Sequence, residues 1–249
     1  MDTGVKVLDT LVDELNEIGL TVMAQSLDRI YHSKDFLETD RLSLLSMLIE
    51  NEYESRMTTR IENRLKRAHL FGCPFELELC RDSKEREYLP ADITRTLSSL
   101  RFIDEGLNVC ILGQSDSGKT YLAKSIGIKA CSRCRVEYHH CETLLESLVA
   151  LKLNDYPKYQ RKVRTYTSGV ELLILDDFLL HTLTEEQEIK VLFEILEKRS
   201  ELQKSTMICS QRDPKSWTSM MMNDEVAANA ILKRVTKHYT IVIRSKENE

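Results

Sequence analysis

Glycine and proline are scarce in this 249-residue sequence, at 8 and 4 residues, which excludes a loop-rich chain and favours helices joined by short connections. No apolar run approaches the roughly 20 residues needed to cross a bilayer, so neither a transmembrane helix nor a membrane partner is expected. The acidic start MDTGVKVLDTLVDEL lacks the basic and then apolar layout of a signal peptide, and a cytoplasmic location is the expectation. Seven cysteines, an odd number without an export signal, read as reduced thiols rather than a disulfide framework. Positive charge is not in excess either. With 35 Lys and Arg against 40 Asp and Glu the net charge is −5, so any nucleic-acid contact has to come from a local patch. Internal repeats and low-complexity stretches are absent. What remains, 42% hydrophobic and 30% charged residues, is the balance of a globular protein long enough for one large domain and a small one.

Residues 5 to 70 read as helical. Leu8, Leu11, Val12, Leu15 and Ile18 form one apolar stripe that Gly19 can terminate, and Thr21 can cap a second helix carrying Val22, Met23, Leu27, Ile30 and Tyr31. A third run, from Thr39 to about His69, starts apolar and becomes basic. Arg56, Arg60, Arg64 and Arg67 recur at intervals of four, four and three, which on a helix makes one cationic ridge opposite Met57, Ile61 and Leu65. Such a ridge fits a phosphate backbone, or else a solvated face neutralised by Glu52, Glu54 and Glu62. Gly72, Pro74 and Pro90 break the helical period, so a linker is expected at 71–90, between a helical N-terminal domain at 1–70 and a second domain at 91–249.

In the second domain the pattern alternates. Helix 91–105 precedes strand 108–112, helix 119–131, strand 135–139 and helix 142–153. Strand 171–175, helix 184–203, strand 205–210, helix 224–237 and strand 240–244 follow. Strands alternating with helices predict an α/β fold, a central parallel sheet covered by helices on both faces.

Gly113 to Thr120, GQSDSGKT, matches GxxxxGKT between the apolar strand NVCIL and the helix KTYLAKSIGIKA, the context of a P-loop. The glycines at 113 and 118 let backbone amides turn inward as an anion nest, and the helix directs its positive end at the phosphates. The expected ATP contacts are Gly113, Gln114, Ser115, Asp116, Ser117, Gly118, Lys119, Thr120 and Tyr121. Lys119 reaches the β and γ phosphates, and Thr120 offers its hydroxyl to Mg²⁺. Asp116 places like charge near a triphosphate, so a modest affinity is expected. ELLILDDF at 171–178 is an apolar strand ending in two acids: Asp176 is expected to hold Mg²⁺, and Asp177 to orient or deprotonate the attacking water.

The succession LRFIDEGLNVCILGQSDSGKTYLAKSIG, LLILDDF, STMICSQRDPKSW and ANAILKRVTKHYTIVIR resembles the IstB-like family of AAA+ ATPases, the transposition helpers of bacterial insertion sequences. Helicase loaders of the DnaC type are close cousins. LLSMLIENEYESRMTTRIENRLKRA is also similar to that family's N-terminal region, so the resemblance covers nearly the whole chain. It implies an AAA+ domain, slow ATP hydrolysis without a partner, and homo-oligomers whose ATP sites lie at subunit interfaces. It implies too that these oligomers grip and deform duplex DNA and present it to a transposase. Gln211, with Ser210 beside it, falls at the family's sensor position, where Asn is common. Arg234 matches the arginine finger that acts on a neighbour's ATP. Under the resemblance Arg56, Arg60, Arg64, Lys66 and Arg67 become candidate DNA contacts.

Two rival readings stand beside this one. A helicase loader would use its N-terminal domain on a helicase instead of duplex DNA, and an ATP-gated scaffold would bind without turnover. Cys131, Cys134, His139, His140 and Cys141 invite a zinc site, but the second pair is compressed and His139 and His140 point to opposite faces of a strand, so buried thiols are expected instead.

Overall fold

The computed structural model describes residues 3–246. It comprises two compact units, Met1–Asn63 and Arg64–Glu249. Among the described residues no helix is long and apolar enough to cross a membrane.

The first unit holds α1 (Thr3–Glu17), α2 (Thr21–Tyr31) and most of α3 (Arg41–Arg67). Leu8, Ala24 and Leu48 are its buried apolar residues. A polar knot supplements them. The buried Glu52 carboxylate accepts from the Met23 amide at 2.9 Å and from Arg56 Nε at 2.6 Å. Arg56 Nη2 donates in turn to the Gly19 carbonyl at 2.7 Å. The Arg56 guanidinium holds the Glu52 carboxyl below its ordinary range.

In the second unit the strands and helices run β1 (Arg86–Leu89), α4 (Ile93–Ser98), α5 (Arg101–Asp104), β2 (Val109–Gly113), α6 (Lys119–Cys131), β3 (Val136–His140) and α7 (Cys141–Asn154). They continue with α8 (Tyr156–Arg164), β4 (Leu172–Asp176), α9 (Glu186–Glu201), β5 (Ser205–Ser210), α10 (Trp217–Met220), α11 (Glu225–Thr236) and β6 (Tyr239–Ser245). The six strands form one sheet in the order β1-β6-β2-β5-β4-β3. All neighbours are parallel except β1, which pairs antiparallel with β6 at the edge.

Period-two alternation divides the core between the two faces of the sheet. Cys110, Leu173, Leu175 and Ile208 point into a cluster with α7, α8, α9 and α11. Val109, Ile111, Leu172, Ile174, Met207 and Cys209 point into the other, with α4, α5 and α6.

The structure departs from expectation at three places. Ala68, Leu70, Leu77, Cys80 and Tyr88 are buried in the second unit's core, and 86–89 is a sheet strand, so 71–90 packs as part of that unit rather than forming a linker. The helix expected over 91–105 is broken at Leu100, which adopts φ 59°. Leu100 and Phe102 are both buried, yet two residues apart on one helix they would be turned by about 200°, onto opposite faces. Residues 156–169, to which the sequence pattern assigned no element, form α8 and a π turn over Thr165–Gly169.

Arg199 holds that π turn to the sheet. It is fully buried on α9 and donates to the carbonyls of Tyr166, Thr167, Val170, Glu171 and Ser205 and to Thr206 Oγ1. Burial pulls its pKa down to about 9, which leaves it cationic at neutral pH. Arg199→Met strips the cation from five carbonyls and is expected to cost at least about 3 kcal/mol in urea unfolding; wild-type stability would refute this account of the turn.

Candidate functional site

The site is built at the carboxyl end of β2. After β2 the chain crosses through α6 to β3 on the far edge, while β6 arrives on the opposite side of β2. Ligands of open α/β sheets occupy the crevice where the strand order reverses in this way. Gly113 ends β2 where a Cβ would lie 2.6 Å from both the Ile243 carbonyl oxygen and Ser117 Oγ, so only glycine fits. Gly118, at φ 101°, turns the loop into the first turn of α6 in a conformation that other residues rarely adopt.

Lys119 is 6% exposed and donates from Nζ to the Gln114 carbonyl at 2.6 Å, folding back over its own loop. Burial draws its ammonium below the ordinary range, while Asp176, Asp177 and Asp116 act in the opposite sense. Ser117 Oγ is buried without a hydrogen-bond partner among the described residues. A buried, unpaired hydroxyl in this loop is what a phosphate oxygen would satisfy.

Asp176 ends β4 fully buried, and three donors meet its carboxylate. Thr120 Oγ1 donates to Oδ2 at 2.7 Å, Tyr138 OH to the same oxygen at 2.6 Å, and the Asp177 amide to Oδ1 at 3.0 Å. Burial and this bond push the Tyr138 phenol up strongly, so it acts as a donor at any ordinary pH. Thr120 and Asp176 together offer two hard oxygen ligands, the donor type that suits Mg²⁺. Asp177, with φ 52°, turns out of the strand and meets His140 Nδ1 at 3.0 Å. Tyr138 and His140 were not anticipated. Both lie on β3, beside β4, and only the pairing of His140 with Asp176 in the sheet register brings them to the acids.

The profile of the family described as IstB-like ATP binding protein matches residues 13–248. The chain belongs to the IstB-like ATP-binding proteins. It is 30% identical over 238 residues to the ATP-binding protein of insertion sequence IS232 from Bacillus thuringiensis subsp. berliner, covering 93% of this chain and 90% of that one. It is 33% identical over 225 residues to the insertion-sequence ATP-binding protein y4pL of Sinorhizobium fredii, with 90% and 89% covered. Among solved structures, AMPPCP-bound DnaA from Aquifex aeolicus aligns at a TM-score of 0.55 and 21% identity, covering 70% of this chain and 50% of that one. The DnaC helicase loader aligns at a TM-score of 0.50 and 20% identity, covering 68% and 96%. The IstB-like chain thus has the AAA+ P-loop fold expected of it.

The remaining candidates of this IstB-like protein fall in different surroundings. Gln114, Ser115 and Asp116 form the exposed rim of the loop, and Ser115 Oγ faces Asp116 Oδ2 at 3.4 Å. Tyr121 meets the Phe75 ring edge to face, and its hydroxyl accepts from the Glu76 amide. Ser210 Oγ is committed to the Phe178 carbonyl and the Arg212 amide, whereas Gln211, the residue expected to act as sensor, is exposed.

Arg234 is bound to Glu197 at 3.2 Å and lies over the Phe193 ring. Its carbonyl accepts from the side chain of Asn108, which precedes β2, whereas Gly113 ends that strand. Arg234 thus meets β2 at the end of the strand opposite the loop of its own chain.

The cationic ridge is divided. Arg56 is taken by Glu52 and Gly19, and Arg64 Nη1 caps α6 through the Cys131 and Ser132 carbonyls, both at 3.1 Å. Lys66 lies over the Phe71 ring, while Arg60 and Arg67 are exposed. Cys131 and Cys141 lie in the core clusters on opposite faces of the sheet.

Gly113→Ala drives a methyl into a backbone carbonyl and is expected to cost about 1–3 kcal/mol by overpacking and to weaken nucleotide binding. Thermal melts with and without ADP check both, and an unchanged melting point with an intact ADP shift would contradict the packing seen at β2.

Proposed function

We propose that this protein is an ATP-hydrolysing transposition helper that assembles on duplex DNA, deforms it and presents it to a transposase. The observation that carries the reading is the 2.7 Å contact between Thr120 and Asp176, which joins the P-loop to the acidic end of β4 in one site. The relatives named for insertion sequences supply the biological setting.

Lys119 and the loop amides hold the phosphates, and the Ser117 hydroxyl acquires the partner it lacks. Thr120 and Asp176 would hold Mg²⁺, which would neutralise charge on the phosphates. Asp177 accepts a proton from the attacking water, and His140 fixes the direction of its carboxylate. Gln211 extends from the adjacent strand end as the sensor. Arg234, remote from its own loop and held by Glu197, exchanges that partner for the triphosphate of a neighbouring subunit, so turnover depends on assembly. DNA phosphates meet the exposed Arg60 and Arg67 and the nearby Lys66; Arg56 and Arg64 serve the fold. Multivalency across subunits offsets the acidic net charge.

Size-exclusion chromatography with light scattering, with a duplex of about 60 base pairs at low and moderate salt, tests the assembly. A large ATP-dependent complex on the duplex is expected, and Lys119→Ala should abolish it. A monomer that ignores duplex but binds a replicative helicase would replace this reading with a helicase loader. Arg234→Ala should spare nucleotide binding while lowering assembled turnover on the order of 10³-fold. Normal phosphate release from that variant would rule out a finger at Arg234.

A further inference from the structure

We propose that Arg86 is a phosphate-binding residue of the nucleotide site, reaching the loop from the edge strand β1; this rests on the nucleotide reading of the P-loop. A Cβ placed on Gly118 would lie 3.3 Å from Arg86 Nη1, 3.5 Å from Cζ and 3.7 Å from Nε. Three guanidinium atoms at nearly one distance mean that the plane of the group lies against the glycine turn. Arg86 has no hydrogen bond or ion pair from its guanidinium among the described residues, although it is half-buried and acidic residues surround it in sequence. An unpaired guanidinium fork beside an anion nest is matched to phosphate oxygens.

The backbone that carries Arg86 is fixed in advance. Its amide, and that of Glu85, donate to Ser83 Oγ at 3.1 Å. The Tyr88 amide donates to Asp82 Oδ1 at 2.8 Å, and Arg86 pairs with Ser245 in the sheet. Lys246 closes the same end by donating from its amide to the Glu85 carbonyl and from Nζ to the Ser83 carbonyl. Little ordering is therefore left to be done when an anion arrives. The position also makes chemical sense of Asp116: a cation on the β1 side of the loop offsets the like charge that this aspartate brings to a triphosphate.

Arg86 approaches the loop at Gly118, on the phosphate nest itself, so the ligand is a nucleoside di- or triphosphate recognised through phosphate rather than base. The test is fluorescence titration with a mant-labelled ADP, competed by unlabelled ADP, ATP and inorganic pyrophosphate, on wild type, Arg86→Gln and Arg86→Lys. Arg86→Gln is expected to weaken ADP, ATP and pyrophosphate by one common factor, about tenfold to a hundredfold, the loss of a charge-assisted contact. Arg86→Lys should recover part of it, and the melting point without nucleotide should stay at the wild-type value. Pyrophosphate affinity unchanged while ADP weakens would overturn the phosphate assignment in favour of the base or ribose. Unchanged affinity for all three would overturn the proposal outright. A wild-type protein that binds none of them would instead refute the nucleotide reading of the loop, a result separate from any effect at Arg86.

Discussion

The Asp176 carboxylate sits fully buried at the end of β4, and donors from three elements converge on it: Thr120 from α6, Tyr138 from β3 and the amide of Asp177. A buried charge is tolerable only when its lone pairs are occupied, and removing one donor leaves the rest of the penalty in place. That requirement fixes relative positions. The start of α6 has to lie over β4, β3 has to present Tyr138 at the same height, and the loop between β2 and α6 has to close in the space left. Lys119, folded onto Gln114 beside this anion, completes a compact arrangement of opposite charges that is assembled before any ligand arrives.

Much of this was legible because it depends on local pattern. GQSDSGKT between an apolar strand and a helix announces its own geometry, and LLILDD shows a buried strand ending in acids. Residues 205–210 were placed to the residue. What escaped depends on distance in sequence. REYL in β1 buries only Tyr88, so no alternation marks it as a strand, and its pairing partner lies at the other end of the unit. α8 buries only Tyr159 and Val163, one helical turn apart, too little to stand out from its polar surroundings. His140 meets Asp177 across neighbouring strands, and no spacing along the chain encodes that.

The same distinction separates two uses of arginine. On paper Arg56, Arg60, Arg64 and Arg67 are one stripe, yet Arg56 and Arg64 end on backbone carbonyls and Arg60 and Arg67 do not. Arg199, which looks like one more charge on an amphipathic helix, is the most enclosed cation described here. Helical spacing says which residues share a face; whether a helix terminus or π turn with unpaired carbonyls lies opposite is a tertiary fact.

The antiparallel pairing of β1 with β6 has a mechanical side. Arg86 is matched with Ser245 and Leu89 with Val242, so the outer flanks of both strands leave from the same end of the pair. Tension applied to the chain at residues 85 and 246 would load those rungs one after another, as in opening a zip, instead of shearing them all together. The bond from the Lys246 amide to the Glu85 carbonyl would part first, and the rung that carries Arg86 would follow. A modest pull on the strand flanks would therefore be felt at the P-loop before the rest of the sheet yields.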